Sequence, residues 1–171
     1  IQKSLLQRTG VQRLPKNAEV IEALKIKDVY NIKSKNRTYL LERLENFENR
    51  EPVLIDGNQD ITVEHIFPQN PDPKWKIELG NDEYNFIKDN YLNTIGNLTL
   101  SGNNGKLGNK SFIEKRDLEG AGYKDSRLWL NKYLTILDKW GKAEIERRYD
   151  QIAERVLRIW EFPIIVIEDK E

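Results

Sequence analysis

The sequence has no cysteine and no methionine, and it holds a single histidine, His65. The absence of cysteine excludes disulfides, zinc sites built on thiolates and cysteine nucleophiles. An intracellular protein is compatible with that composition. Nothing approaches a run of about 18 apolar residues, so no membrane span is predicted. A glycine-rich phosphate loop is also missing, so this chain carries no sequence signal for nucleotide binding.

The charge composition is balanced, with 28 Lys and Arg against 28 Asp and Glu. Charged residues make up 33% and hydrophobic residues 38%, which is typical of a globular domain with a polar surface. A net charge of zero argues against tight autonomous DNA binding, because neutralisation of phosphates dominates that affinity. It does not exclude a nuclease whose main grip on DNA lies elsewhere. Because the chain begins at Ile1 and contains no Met, we expect a piece of a larger protein.

Hydrophobic spacing predicts four helices at the two ends of the chain, over residues 17–28, 36–47, 126–139 and 142–160. The second would present one apolar face, made of Tyr39, Leu40, Leu44 and Phe47. Ser126 is the expected N-cap of the third. The mixture of Arg and Glu over 142–155 predicts an exposed, salt-bridged face. The closing apolar stretch, 162–171, fits a final strand or a tail.

The middle of the chain alternates between strand and helix signals. Residues 60–67 are β-branched and alternating and predict a strand that ends at Pro68. The proline-containing residues 70–81 are expected to be irregular. A helix is expected over 82–92, a second short strand over 97–100, and a further helix over 104–116 after a turn.

The only histidine follows an acid, Glu64, in the stretch ITVEHIFPQ on the first predicted strand. Asn97 opens the second predicted strand, and Asn104 leads the helix after it. An acid–histidine pair on the first of two strands, followed by Asn residues and a helix, is the layout of the HNH, or ββα-metal, nuclease site. A lone histidine is more often structural, but this combination favours the nuclease interpretation.

The chemistry of phosphodiester hydrolysis explains these residue types. A neutral histidine is a suitable base for activating water, and a divalent cation stabilises charge on the reacting phosphate. Hard cations such as Mg²⁺ or Mn²⁺ prefer the oxygen ligands that a carboxylate and an amide supply. Successive strand residues point to opposite faces, so Glu64 and His65 can share one cleft only near a bulge or a strand end.

The stretches EHIFPQ, YLNTIGNLTLSGNNGKLGNKSF and YKDSRLWLN resemble the C-terminal HNH-type domain of GmrSD-family restriction proteins, over roughly residues 36–160. These proteins are bacterial defences against modified phage DNA, and relatives sense phosphorothioate-modified DNA. The resemblance implies a cytoplasmic bacterial DNA endonuclease whose upstream sensor or NTPase domain lies in the same protein. It also implies an α+β, mainly helical fold with a ββα-metal core embedded in a helical domain. Residues 1–50 would be a helical lead-in and 51–171 the nuclease domain with its C-terminal helices.

The resemblance also implies a role for each site residue. His65 would be the general base, and Glu64 and Asn104 would bind one Mg²⁺ or Mn²⁺. Asn97 would orient His65 or brace the loop. Asn109 is the alternative to Asn104, but five helical residues turn about 500°, so the two side chains diverge by about 140°. We favour Asn104 as the ligand and expect Asn109 to hold the loop.

Four basic side chains near the proposed site are candidates for phosphate contacts or are ordinary helix charges: Lys106, Lys110, Lys115 and Arg116. Four tryptophans fill the core or stack on bases: Trp75, Trp129, Trp140 and Trp160. Phe112 is expected in the core. Two other functions stay open, a non-catalytic DNA- or partner-docking module on the same scaffold and an RNA nuclease.

Overall fold

The computed structural model describes residues 6–163, and within that range the chain is mainly helical. In chain order its α-helices are α1 Asn17–Ile26, α2 Ser34–Asn46, α3 Pro73–Asn90, α4 Asn104–Leu107, α5 Phe112–Asp117, α6 Trp129–Lys132 and α7 Lys142–Ile159. Single 3₁₀ turns lie at Gly10–Gln12, Ile95–Asn97, Tyr123–Asp125 and Tyr133–Ile136. Among the described residues no helix combines the length and the apolar composition that crossing a membrane requires.

One antiparallel hairpin supplies the sheet, with β1 at Thr62–His65 and β2 at Leu98–Ser101. Its pairing is regular, with Glu64 opposite Thr99 and His65 opposite Leu98. Both predicted strands are therefore confirmed, although β1 is shorter than the predicted 60–67. The fold is α+β and mainly helical, as expected.

Two apolar clusters lie around this hairpin. Leu98 and Leu100 of β2 pack into the first, which also contains buried residues of α2 and α7. Ile66 and Phe67, directly after β1, enter the second, which includes Trp75 and Trp140. Strand β2 is therefore anchored in the first cluster and the chain after β1 in the second. Together these contacts fix the position of the predicted site residues.

Helix α7 confirms the helix predicted over 142–160, and Ile145, Tyr149, Ile152 and Val156 form a buried apolar stripe along it. The prediction that the Arg and Glu side chains of this helix are exposed is wrong for three of them, Glu144, Arg148 and Arg155. The Arg148 guanidinium donates to the carbonyls of Ile95 and Gly96 at 3.0 and 2.9 Å, and to that of Leu130 at 3.1 Å. Backbone carbonyls of the 3₁₀ turn Ile95–Asn97 and of α6 compensate its burial, and the sequence of α7 alone does not reveal these partners.

The prediction that residues 70–81 are irregular is wrong, because α3 begins within them, at Pro73. Proline at the first helical position lacks only an N–H that would be unpaired there, so it starts this helix. The Asp72 carboxylate caps it by accepting from the N–H of Lys74 at 2.9 Å. The helix is broken at Gly80, whose φ of 75° and ψ of 167° are not helical. It then continues to Asn90, which confirms the helix predicted over 82–92 except for its last two residues.

Two further helix predictions need correction. The predicted helix 104–116 is two short helices, α4 and α5, because Gly108 between them has a φ of 51°. The predicted helix 126–139 is reduced to α6 and a 3₁₀ turn, and Ser126 does not start it. Its first N–H groups, on Trp129 and Leu130, donate instead to the Glu45 carboxylate of α2 at 2.6 and 2.9 Å.

Helices α1 and α2 confirm the predictions for 17–28 and 36–47, but α2 buries Leu41 and Leu44 while Tyr39 is 56% exposed. Trp75, Trp140 and Phe112 are core residues, as predicted. Trp129 is half-buried, with the Arg155 guanidinium 3.7 Å from its ring centre. Most of the closing stretch 162–171 lies outside the described residues.

Candidate active site

Glu64 lies in the middle of the hairpin, where only 7% of its surface is exposed. Its Oε1 accepts from the Nζ of Lys115 at 2.6 Å, and the same ammonium donates to the carbonyl of His65 at 2.8 Å. Lys115, on α5, is completely buried. Lys115 is thus not exposed for contact with a DNA phosphate, and it acts as an internal cation that fixes α5 to β1.

Burial dominates the protonation of this pair. It raises the pKa of the Glu64 carboxyl, and the positive charge and hydrogen bond of Lys115 oppose that rise. It lowers the pKa of the Lys115 ammonium, which Glu64 opposes in turn. Burial destabilises the charged form of this carboxyl group. A further cation that reaches its second oxygen would therefore stabilise the carboxylate.

His65 points to the opposite side of β1, as the regular alternation of a strand requires. Its Nε2 lies 3.1 Å from the Oδ1 of Asn93, and its ring centre lies 4.4 Å from that of Tyr30. Only 7% of the residue is exposed, so access to the imidazole is narrow. The pairing has no bulge, but His65 is the last residue of β1, so the pair lies at a strand end, the other place where the two side chains can share one cleft.

The environment keeps His65 in its neutral form at pH 7. Burial is the main cause that lowers the pKa of the imidazole below its usual 6.5. The hydrogen bond to Asn93 opposes this, while the positive charges of Lys115 and Arg37 add to it. A neutral imidazole has a lone pair available, which is the form that a general base requires.

Asn97 is fully buried and braces the loop after β1. Its Oδ1 accepts from the N–H of Phe67 at 2.8 Å and from the Nε1–H of Trp140 at 3.0 Å. Its Nδ2 donates to the carbonyls of Phe67 and Leu92, both at 2.9 Å. Of the two roles that the resemblance implied, bracing fits this geometry, and the amide that contacts His65 belongs to Asn93.

Asn104, the first residue of α4, lies against β1. Its Nδ2 donates to the hydroxyl of Thr62 at 2.6 Å and to the carbonyl of Val63 at 2.9 Å. Its Oδ1 is buried and has no hydrogen-bond partner within residues 6–163. Asn109 is exposed, and its backbone carbonyl accepts from the N–H of Asp72 at 3.0 Å.

The other basic residues differ in their availability. Lys106 is exposed and Lys110 is half-buried, with its Nζ donating to the Lys106 carbonyl at 2.6 Å. Arg116 is bound to Asp117 and Asp138 at 2.7 and 2.9 Å. Arg37 lies near the imidazole, over the Tyr30 ring at 4.9 Å, and its Nε is buried without a hydrogen-bond partner in the described chain.

The two oxygens that the resemblance assigns to a metal fit a hard cation. Thr62 and Glu64 share one face of β1, and the Asn104 Nδ2 donates to the hydroxyl of Thr62, so this amide lies beside the face that carries Glu64. No group of three or more His, Cys, Asp or Glu side chains suited to a metal occurs within residues 6–163. Two protein oxygens completed by water or phosphate are the kind of set that Mg²⁺ takes, whereas zinc requires more protein ligands.

Three cavities of comparable size lie elsewhere in the described part of the chain. They measure about 570 Å³ around Trp129 and Glu48, about 560 Å³ around Arg13, and about 490 Å³ around Tyr133 and Arg158. Glu64, His65 and Asn104 line none of them.

Sequence reasoning missed two residues that contact the predicted pair. No local sequence signal indicates the contact of Asn93 with His65, because the two residues are 28 positions apart. The same holds for the burial of Lys115, whose partners Glu64 and His65 are 51 and 50 positions away. A fully buried lysine on a short helix that also carries exposed charges is indistinguishable in sequence from its neighbours. Only the packing of α5 against β1 reveals it.

The match to a known protein family covers the residues of the candidate site. No curated protein gives a significant match to the chain. The family described as the C-terminal domain of GmrSD restriction endonucleases matches residues 14–155, which include the hairpin, α4, α5 and most of α7. With the match covering most of its length, the chain belongs to the family of GmrSD restriction endonuclease C-terminal domains.

Proposed function

We propose that this chain is a metal-dependent DNA endonuclease of the ββα-metal, or HNH, class. The observation that carries the proposal is the unpaired, buried Oδ1 of Asn104 beside the strand that bears Glu64 and a neutral His65. A restriction nuclease family supplies the substrate class, since such a domain acts on DNA.

Glu64 and Asn104 would hold one Mg²⁺ or Mn²⁺. When bound, the cation would stabilise charge on the phosphate and on the departing 3′-oxygen. Lys115 fixes one carboxylate oxygen of Glu64, which leaves the other to face a ligand. Thr62 and the Val63 carbonyl hold the Asn104 amide so that its oxygen, not its NH₂ group, is presented.

His65 would take the proton from the attacking water, and the products would carry 5′-phosphate and 3′-hydroxyl ends. Its neutral state at pH 7 supports that role. Asn97 keeps the loop after β1 in place and has no spare donor for the substrate. Lys106 and Lys110, in and just after α4, and Arg37, which lies over the Tyr30 ring beside His65, would contact DNA phosphates.

The whole restriction protein would add what this domain lacks. A balanced net charge provides little electrostatic grip on DNA, so an upstream sensor or NTPase domain would deliver phage or modified DNA to the site. Such a protein would work in the bacterial cytoplasm, where incoming phage DNA is met.

The metal site is tested by Mn²⁺ titration followed by electron paramagnetic resonance. The wild-type chain is expected to bind one Mn²⁺, and Asn104→Ala to weaken that binding about tenfold or more while circular dichroism stays unchanged. Asn109→Ala removes an exposed amide from the loop that follows α4; it is the matched control and should bind like wild type. Equal binding by Asn104→Ala and Asn109→Ala would contradict the assignment.

A second candidate is a non-catalytic module that docks DNA or a protein partner on the same scaffold. The Lys115 ammonium favours it, because it already neutralises the Glu64 carboxylate without any metal. A docking module would be indifferent to Mn²⁺ in the titration above. The RNA nuclease alternative is separated by assaying matched DNA and RNA substrates, with cleavage confined to RNA excluding the DNA assignment.

A further inference from the structure

The side chain of Asn93 joins His65 to the segment between α1 and α2. Its Oδ1 lies 3.1 Å from the His65 Nε2, and its Nδ2 donates to the Oδ2 of Asp28 at 3.3 Å. Its backbone carbonyl accepts from the N–H groups of Val29 and Tyr30 at 2.9 and 3.2 Å. Asn93 is therefore fixed to this segment through both its main chain and its side chain.

Asp28 decides which way the amide of Asn93 faces. An ionised carboxylate only accepts hydrogen bonds, and Asp28 also accepts from the backbone N–H and the Nδ2 of Asn31, at 2.9 and 2.8 Å. Burial pushes the pKa of Asp28 upward, but the hydrogen bonds from Asn31 and Asn93 bring it below its usual value. The carboxylate is therefore ionised at pH 7, and the NH₂ group of Asn93 must face it.

The direction of the amide then decides the protonation of the imidazole. With its NH₂ group on Asp28, Asn93 presents only its carbonyl oxygen to His65, and a carbonyl oxygen can only accept. We propose that Asn93, oriented by Asp28, is a positioning residue that keeps a proton on the Nε2 of His65 and leaves Nδ1 as the ring nitrogen that can accept one. The catalytic meaning of this inference rests on the proposed function, whereas the assignment of the tautomer does not depend on it.

The surroundings of the ring make the arrangement rigid. The Tyr30 ring packs on the imidazole at 4.4 Å, and the same residue donates its N–H to Asn93, so one segment holds both the ring and its partner. The resemblance gave the orienting role to Asn97, whose amide is used up in the brace of the loop after β1. Asp28, Tyr30 and Asn93 thus bring the N-terminal part of the chain into the site.

The single histidine makes the tautomer directly measurable. In protein labelled with ¹⁵N-histidine at about pH 8, without metal or DNA, His65 should show a protonated Nε2 and an unprotonated Nδ1. Asn93→Ala should raise the population of the Nδ1-protonated form about fivefold, the loss expected for one net hydrogen bond. Asp28→Asn frees the amide to turn and should shift the population in the same direction. The exposed controls Asn90→Ala and Asp82→Asn should leave it unchanged.

A wild-type His65 protonated mainly on Nδ1, or unchanged ring shifts in folded Asn93→Ala, would overturn the proposal. If Asn93→Ala does not fold, Asp28→Asn decides alone, because Asp28 is exposed and its replacement keeps the shape of the side chain. The readout needs no turnover, so a chain without nuclease activity that shows the expected tautomers would refute the proposed function and leave this inference standing.

Discussion

The buried amide of Asn97 stabilises the part of the chain that carries the candidate site. Its four hydrogen bonds tie the turn before β2 to the loop after β1 and to Trp140 on the far side. Each buried group that loses its partner costs about 1–3 kcal/mol. The residue therefore stabilises the hairpin that presents Glu64 and His65 without contacting either side chain.

Asn97→Ala is accordingly expected to lower the free energy of unfolding by more than about 3 kcal/mol in urea denaturation. Asn109→Ala, at an exposed amide, should stay within about 0.5 kcal/mol of wild type. A loss below about 1 kcal/mol for Asn97→Ala would show that the brace is not needed.

The buried pair of Glu64 and Lys115 supports a second prediction at this scale. Lys115→Met leaves a buried carboxylate without its cation and is expected to cost about 3–5 kcal/mol in metal-free buffer. The double variant Lys115→Met with Glu64→Gln removes both charges and should recover more than half of that loss. Strictly additive losses in the two single variants and the double variant would contradict the coupling.

At the scale of elements, the break between α4 and α5 places the site residues. Gly108 has a φ of 51° and a ψ of −131°, a conformation that residues with a side chain rarely adopt. The break lets Asn104 point at β1 from one helix while Lys115 reaches Glu64 from the next. A continuous helix over 104–116 would not deliver both side chains in this way.

Gly108→Ala should therefore destabilise the chain by about 1–3 kcal/mol in thermal or urea unfolding. Gly105→Ala is the matched control, since Gly105 lies in α4 and an added Cβ would meet no atom within 4 Å. That change should be neutral or stabilising by up to about 1 kcal/mol. Equal effects of the two substitutions would show that the break is not a conformational requirement.

The elements also show how far sequence reasoning reaches. The stripe of α7 and the two strands were predictable because their periodicity is local and strong. The start of α6 was not, because its cap is Glu45, 84 residues before Trp129. In the candidate site, the strand–strand–helix pattern correctly placed Glu64 and His65 on β1, Asn97 just before β2 and Asn104 at the start of α4, while their roles stay predictions. Asn93, Asp28 and the burial of Lys115 depend on packing between distant segments.

At the scale of the whole molecule, the N-terminal segment packs and hydrogen-bonds against the part of the chain that carries the candidate site. Residues between α1 and α2 contact Asn93 and His65, and α2 caps α6 through Glu45. The family match likewise begins at residue 14, well before the hairpin. A site assembled from segments so far apart depends on the integrity of the complete domain.

The central claim, that His65 performs cation-dependent hydrolysis of DNA, is tested most directly by cleavage of supercoiled plasmid. With Mg²⁺ or Mn²⁺ the wild-type chain should nick or linearise the plasmid, EDTA should stop the reaction, and His65→Ala with an unchanged circular dichroism spectrum should be inactive. Undiminished cleavage by folded His65→Ala, or no cleavage by the wild-type chain with either cation, would contradict it.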